Sequence, residues 1–242
     1  MSTNYYLYNP LNTDKWYFIP WDFDKALGRD IERKDTMPSW QNGLSRYWGT
    51  VVHKRYFRDP NNVEKLTKKI NELGQIINTE TTQKMIDDYY PIAKKYVSQS
   101  PDLKHLSIEL SEFNSYYYGI PEVIETYKKQ YFEQNELPMP IFLHYEIDVD
   151  NKHLFKWEAS HDLQGDPLKY TFQLSNQADF STMIVNENVN GQFEKTIATL
   201  EKGRYYFRVL IQDNKGHTQI PFDYVLTDSG VRMWGVKEVI VQ

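Results

Sequence analysis

Three oxygen-bearing side chains near the N-terminus have the chemistry of a hard-cation site: Asn4, Asp22 and Asp24. Carboxylate and amide oxygens are the ligands that magnesium and calcium prefer in proteins. In an extended chain Asp22 and Asp24 would point to opposite faces, whereas a tight turn could bring both to one cation. Acids that follow a strand are also common as plain turn residues, so the spacing alone leaves both interpretations open.

The elements that must position these side chains are two short aromatic segments. Residues 5–8 and 16–19 are almost entirely apolar or aromatic, and residues 9–14 between them are rich in turn formers, which predicts a β-hairpin. Pro20 should end the second strand, because proline has no N–H to give to a sheet. Four apolar residues in a row indicate that this strand is buried. The hairpin would carry the amide and the first carboxylate to the same end, as a cation site requires.

This segment resembles the CotH spore-coat kinase family. Residues 4–8 match the family pattern N-x-Y-L-Y, and residues 19–24 match I-P-W-D-x-D, which is followed by small residues and Gly28. An asparagine, a hairpin and then an aspartate is also the order in which a protein kinase C-lobe holds nucleotide-bound magnesium. The family consists of atypical, kinase-like enzymes, and its best-known members phosphorylate other spore-coat proteins.

The resemblance implies roles for each of the three side chains. The cofactor of the intact enzyme would be magnesium bound to ATP, with Asp22 as the principal protein ligand and Asn4 as the second. Asp24 would either touch the cation or orient the loop by accepting from backbone N–H groups. The phosphoryl group would go to a serine or threonine of another spore-coat or surface protein, which implies a location in the spore coat or at the cell surface.

The resemblance also implies that parts of the family pattern are absent from this sequence. In the family, a longer N-terminal portion carries the nucleotide-binding strands, a basic residue that grips phosphate and a catalytic aspartate shortly before the equivalent of Asn4. Only Met1, Ser2 and Thr3 precede Asn4 here, and none is an acid. We therefore expect a C-terminal fragment or a truncated relative, inactive as this chain and with no catalytic residue of its own. Magnesium should bind it weakly.

Apolar residues recur at three- and four-residue spacing from residue 44 to residue 132, which predicts about five helices. Asp59 or Asn61 should cap the second helix with Pro60 in its first turn, Pro91 should kink or break the third, and Pro101 should open a fourth. The predicted first helix carries Leu44, Tyr47, Trp48, Val51, Val52, Tyr56 and Phe57 on one face. The predicted fourth helix carries Leu103, Leu106, Leu110 and Phe113.

The clearest boundary lies at Pro138 and Pro140, since two prolines forbid a continued helix. Beyond it the period of apolar residues changes from about 3.6 to about 2, and turn residues recur, which predicts about seven strands of a β-sandwich. The expected fold class is therefore α+β. A hairpin with about five helices, a truncated kinase-like C-lobe, would occupy residues 1–136, with residues 29–43 as a surface loop. An all-β sandwich would occupy residues 137–242.

The predicted sandwich resembles a fibronectin type III module. Trp157 stands where that family buries a tryptophan of its second strand, and residues 200–209 match its pattern L-x-x-G-x-Y-x-F-x-V. Tyr205 in that pattern is the candidate for a tyrosine corner, in which the hydroxyl bonds to the backbone a few residues upstream. Such modules are usually spacers or binding platforms.

Composition excludes several classes of function. A formal charge of −5 argues against general nucleic-acid binding, and the absence of cysteine excludes disulfides, thiolate zinc sites and a cysteine nucleophile. No apolar run is long enough to span a membrane, and the N-terminus lacks a signal-peptide pattern. Two rival hypotheses remain beside the kinase. One is a non-catalytic module that docks onto other coat or surface proteins, and the other is a metal-dependent phosphohydrolase that uses the aspartate pair.

Overall fold

A computed structural model of the chain gives a mixed α+β protein with five α-helices and several antiparallel sheets among the residues described. The structure describes residues 5–21, 48–106, 108–189, 191–227 and 230–242. The helices are α1 (Val51–Phe57), α2 (Pro60–Ile76), α3 (Thr79–Val97), α4 (Leu110–Tyr118) and α5 (Ile120–Asn135), with a 3-10 helix at Asp102–His105. The strands are β1 (Tyr5–Tyr8), β2 (Tyr17–Pro20), β3 (Leu143–Ile147), β4 (His153–Trp157), β5 (Lys169–Ser175), β6 (Met183–Asn188), β7 (Glu194–Ile197), β8 (Gly203–Gln212), β9 (Thr218–Gln219), β10 (Tyr224–Leu226), β11 (Arg232–Trp234) and β12 (Lys237–Val241).

The chain divides into two compact units, and among the described residues the dividing points fall between α2 and α3 and within α5. The first unit contains the β1–β2 hairpin together with residues 79–124, and the second contains residues 48–78 and 125–242 among those described. The predicted domain boundary after residue 136 stays a prediction.

The predicted hairpin is confirmed, but its predicted burial is wrong. β1 and β2 pair antiparallel with Tyr5 opposite Pro20, so proline ends the second strand as expected. The Asn9 side-chain amide donates to the Lys15 carbonyl at 3.0 Å and fastens the turn. All four residues of β2 are nevertheless exposed. In the described part of the chain, neither face of this ribbon is covered, so the apolar run did not indicate burial.

The helix starts follow local rules where the capping residues are present. The Asp59 carboxylate accepts the Asn61 backbone N–H at 3.0 Å, and Pro60 occupies the first turn of α2, as predicted. α3 continues through Pro91 without a break, although that proline removes one backbone hydrogen bond. The predicted fourth helix is wrong as a single element. A 3-10 turn ends before Leu106, which has extended backbone angles, and α4 begins only at residue 110.

The predicted face of the first helix is only partly buried. Trp48, just before α1, and Phe57 at its end are buried, but Val51, Val52 and Tyr56 are exposed. Leu44 and Tyr47 lie outside the described residues. The short α1 therefore contributes to the core mainly through the aromatic residues at its two ends.

A small aromatic core holds the helices of the first unit together. Tyr90 of α3 is 4% exposed, and its ring lies 6.0 Å from that of Phe113 and 4.8 Å from that of Tyr117 on α4. The Tyr90 hydroxyl donates to the Asn114 side-chain carbonyl at 2.5 Å, so its polar end is paired as well. Ile86 and Ile120 complete the buried set.

Two antiparallel sheets form most of the second unit. One has the strand order β3-β4-β7, and the other has the order β12-β8-β5-β6, with β9 also paired to β8. Their core lies between them, where the Phe155 ring of β4 is 5.3 Å from Phe172 of β5 and 4.9 Å from Phe207 of β8. All three rings are fully buried. This contact joins the two sheets face to face.

A second buried cluster in this unit combines helical and loop residues. Trp48, Phe57 and Tyr131 are buried together with Met139, and Phe222 packs against them. The Tyr131 hydroxyl of α5 shares a 2.8 Å hydrogen bond with the Thr67 hydroxyl of α2. The helices of residues 48–78 therefore share one core with chain segments that follow α5.

More strands are present in the C-terminal region than the seven or so predicted, because several are only two or three residues long. The C-terminal strand segment is divided at Gly235 into β11 and β12. Gly235 has a φ of +76°, and a Cβ there would lie 2.8 Å from Ile220 Cβ. Glycine is required at this bend both by its backbone angle and by the neighbouring side chain.

Candidate functional site

The predicted cation corner lies at the open end of the β1–β2 hairpin. Because Tyr5 pairs with Pro20, the two strand ends from which the chain continues to Asn4 and Asp22 lie side by side. Asn4, Asp22 and Asp24 themselves lie outside the described residues. The convergence of these three side chains on one cation therefore stays a prediction, and the structure describes only the strand register next to it.

The aromatic side chains next to this end are held against each other. The rings of Tyr6 and Trp21 are stacked with centroids 6.0 Å apart and planes 18° apart. Tyr6 is nonetheless 63% exposed and Trp21 is 44% exposed. Stacking of this kind favours the observed register and orients the chain at the point where it leaves β2.

A second group of carboxylates occurs in the other unit, and no metal or catalytic role was predicted for it from the sequence. Asp162, Asp166 and Asp213 each place a carboxylate oxygen within 4.8 Å of one from each of the others. A sequence signal exists, since both segments have the spacing D-x-x-G: Asp162 to Gly165 and Asp213 to Gly216. The signal is weak because such segments are ordinary turns.

Electrostatic effects in this group act in opposing directions. Burial raises the pKa of the Asp213 carboxyl, but hydrogen bonds from the His217 ring and from the backbone N–H groups of His217 and Lys215 outweigh it and leave that pKa below its usual value. Contact with the Asp166 carboxylate raises the pKa of the Lys215 ammonium against a smaller effect of burial. The aspartate is therefore ionised and the lysine charged at neutral pH.

Comparison with known proteins identifies the first half of the chain. The family model described as CotH kinase protein matches residues 1–130. The chain belongs to the CotH kinase protein family. The matched segment contains both halves of the motif, N-x-Y-L-Y and I-P-W-D-x-D, together with the helices as far as α5.

Comparisons beyond the CotH family model add little. No curated protein matches the chain. Among solved structures, pectate lyase Pel3 from Pectobacterium carotovorum is similar over 33% of this chain and 24% of its own, with 12% identity and a TM-score of 0.27. A likeness at that level carries no argument about fold or activity. None of the described helices has the length and apolar character needed to cross a membrane.

Proposed function

We propose that this CotH-family chain forms the magnesium-binding part of an atypical protein kinase that transfers phosphate from ATP to serine or threonine of spore-coat or surface proteins. The observation that carries the proposal is the family match over residues 1–130, which includes the complete double motif. Support also comes from the hairpin register, which places the ends of β1 and β2 next to each other.

In this proposal each motif residue acts through its oxygen atoms. The Asp22 carboxylate binds the magnesium ion that accompanies ATP, and the Asn4 side-chain carbonyl is the second ligand. Asp24 either contacts the same ion or accepts backbone N–H groups that shape the loop. The ion bridges phosphate oxygens and offsets the charge that develops during transfer.

The 242 residues alone are expected to be inactive as a kinase. Phosphoryl transfer in kinases needs a carboxylate that accepts the hydroxyl proton of the substrate and a lysine that grips the nucleotide, and the proposal assigns neither role to a residue of this chain. Activity is therefore proposed for a protein that also supplies this base and the nucleotide-gripping lysine.

We also propose that the strand-rich region is a fibronectin type III-like sandwich that serves as a spacer or binding platform. Its first, second and fifth strands form one sheet, while its third, sixth and last strands lie in the other, as in immunoglobulin-like sandwiches. The Tyr205 hydroxyl donates to the Glu201 carbonyl at 2.9 Å, which is the contact expected for a tyrosine corner. Trp157 is buried on the second strand of this region.

The first experiment measures transfer of radiolabelled phosphate from Mg·ATP to an acceptor protein. It uses the 242-residue chain and, in parallel, a protein that includes any in-frame upstream coding sequence. We expect no incorporation with the chain alone, and incorporation with the longer protein that falls about 100-fold or more in Asp22→Ala, the usual loss when one charge-stabilising group is removed. Asp14→Ala is the matched control, because Asp14 is an exposed carboxylate in the turn at the other end of the same hairpin.

Three outcomes would contradict parts of this proposal. Label transferred by the chain alone, and lost in Asp22→Ala, would overturn the expected inactivity. Equal activity of Asp22→Ala and Asp14→Ala in the longer protein would remove Asp22 from the magnesium site. Absence of transfer from every form, with no in-frame upstream lysine and aspartate, would favour the non-catalytic docking module instead.

A further inference from the structure

The acidic group of the second unit is assembled from two loops at one end of a sheet. Lys169, the first residue of β5, pairs with Gln212, the last residue of β8. The loop that enters β5 carries Asp162 and Asp166, and the loop that leaves β8 carries Asp213. Strand pairing therefore brings together carboxylates that are far apart in the sequence.

Each loop holds one aspartate by a single carboxylate oxygen. Asp162 Oδ1 accepts the backbone N–H groups of Gln164 at 2.9 Å and Asp166 at 3.0 Å. Asp213 Oδ1 accepts those of Lys215 at 2.9 Å and His217 at 2.8 Å. The Oδ1 atoms are thus turned to their own loops, which leaves the Oδ2 atoms to take other partners.

The other oxygen of Asp162 is the observation that points to a ligand. Asp162 is only 5% exposed, and within the described residues its buried Oδ2 has no hydrogen-bond partner. A buried carboxylate oxygen without a partner is strongly unfavourable, and native structures generally satisfy such atoms by protein, water or an ion. Carboxylate oxygens of Asp166 and Asp213 lie within 4.8 Å of one from Asp162, so a cation at this place would contact several negative groups at once.

Positive charge near the cluster is insufficient for three carboxylates. Lys215 Nζ forms an ion pair with Asp166 Oδ2 at 2.9 Å. His217 Nδ1 lies 2.7 Å from Asp213 Oδ2 and gives a neutral hydrogen bond when the ring is uncharged. One ammonium therefore faces three carboxylates, and this shortage of positive charge favours a divalent cation.

The lysine can leave the cluster without a large loss. Its side chain is 47% exposed, and Glu136 Oε2 already lies 3.8 Å from its Nζ. Exposed ion pairs contribute little to stability because water competes for both charges. An ion could therefore take the place of the ammonium next to Asp166 while Lys215 turns towards Glu136 and solvent.

We propose that Asp162, Asp166 and Asp213 bind a calcium ion in the strand-rich unit. Every ligand atom is a carboxylate oxygen, which suits a hard cation, and the chain contains no cysteine for a zinc thiolate site. Calcium tolerates irregular oxygen sets completed by water, whereas magnesium demands near-octahedral geometry. The expected dissociation constant is about 10⁻⁴–10⁻³ M, the range of calcium-binding extracellular modules.

Calcium titration of the whole chain without nucleotide tests the site by two measurements. Isothermal titration calorimetry should give one saturable site, and 10 mM calcium should raise the thermal midpoint of the strand-rich unit by about 3–8 °C through linkage. Asp162→Asn keeps the Oδ1 contacts to its loop and removes the charge, so calcium affinity should fall about 100-fold, at the upper end of losses for perturbed metal sites. Lys215→Gln removes the competing ammonium and should strengthen calcium binding several-fold.

Asp148→Asn is the matched control for the loop geometry. Asp148 Oδ1 accepts the backbone N–H groups of Asp150 and Lys152, both at 2.8 Å, but Asp148 is not part of the acidic cluster. This variant should bind calcium like the wild type. Asp162→Asn should have an unchanged or higher thermal midpoint in the absence of calcium, so a loss of binding in that variant cannot be attributed to unfolding.

The calcium proposal would be overturned by any of three results. These are absence of saturable binding by the wild type at 10 mM calcium, equal binding by Asp162→Asn and Asp148→Asn, and tighter binding of magnesium than of calcium. No nucleotide or phosphate acceptor is present in these titrations, so their outcome is independent of the proposed kinase function.

Discussion

Two antiparallel strand pairs in this protein differ in how their apolar side chains are covered. In the β1–β2 hairpin every residue of β2 is exposed, and Phe18 is 65% exposed. In the β5–β8 pair, Phe172 and Phe207 are fully buried between the two sheets. A high density of apolar residues therefore does not by itself indicate burial, which here depends on a second sheet that covers one face of the strands.

The hairpin and the two-sheet region also differ in what their sequences predict. The hairpin carries the family motif, so its sequence predicts magnesium-binding residues. Few described residues pack against its side chains, which are exposed. The sandwich region has an extensive core, and its sequence predicts fold. The acidic cluster at the end of β5 and β8 depends on that core, because pairing of Lys169 with Gln212 aligns its two loops.

The largest expected effect comes from truncating a ring in the core between the sheets. Phe207→Ala should lower the free energy of unfolding of the strand-rich unit by about 3–5 kcal/mol, because it leaves a cavity beside Phe155 and Phe172. Chemical denaturation followed by circular dichroism measures this change. A loss below about 1 kcal/mol would mean that the two sheets do not share a tightly packed core.

A smaller loss is expected at the bend between β11 and β12. Gly235→Ala combines an unfavourable positive φ with overlap against Ile220, and should destabilise the unit by about 2–4 kcal/mol. Gly191→Ala is the matched control, because Gly191 has a φ of +74° but no described atom within 4 Å of an added Cβ. That control should lose only about 1–2 kcal/mol. Equal losses in thermal denaturation would show that contact with Ile220 has no effect.

The Tyr205–Glu201 hydrogen bond should contribute less than either of these features. Tyr205→Phe removes the hydroxyl that bonds to Glu201 and should cost about 0.5–1.5 kcal/mol, the net value of one hydrogen bond. Tyr206→Phe removes a hydroxyl one residue later, for which the described residues provide no hydrogen bond, and should change stability by about 0.5 kcal/mol or less. If both variants lose the same amount in urea denaturation, the Glu201 contact has no special role.

Sequence rules correctly predicted those helices and strands whose start or pattern is set by residues within the element itself. Asp59 and Pro60 correctly marked the start of α2, and the alternating patterns correctly marked β5 and β8. The single helix predicted from Pro101 to Phe113 was wrong because three- and four-residue spacing continued across a break at Leu106 that carries no proline or glycine.

Site prediction from sequence was limited by long-range pairing. The Asn4 and Asp22 pairing could be proposed because a hairpin joins neighbours in the chain, and the described register agrees with that part of the proposal. The group of Asp162, Asp166 and Asp213 could not, since its assembly requires knowing that the start of β5 meets the end of β8. Each aspartate alone has the sequence context of an ordinary turn.

The smallest expected effect tests the other side of the comparison, the exposed hairpin. Phe18→Ala is the same substitution as in the sandwich core, but most of the Phe18 ring already lies in solvent, so the free energy of unfolding of the first unit should change by about 0.5 kcal/mol or less. Hydrogen exchange of the β1–β2 amides should be fast in the wild type and in Phe18→Ala, because exposed backbone hydrogen bonds open readily. A loss above about 1 kcal/mol, or strong protection of these amides, would mean that the ribbon is covered in solution. The contrast between the exposed β1–β2 hairpin and the buried core of the two sheets would then no longer hold. A small effect would instead show that the hairpin next to the proposed magnesium ligands adds little to the stability of the fold.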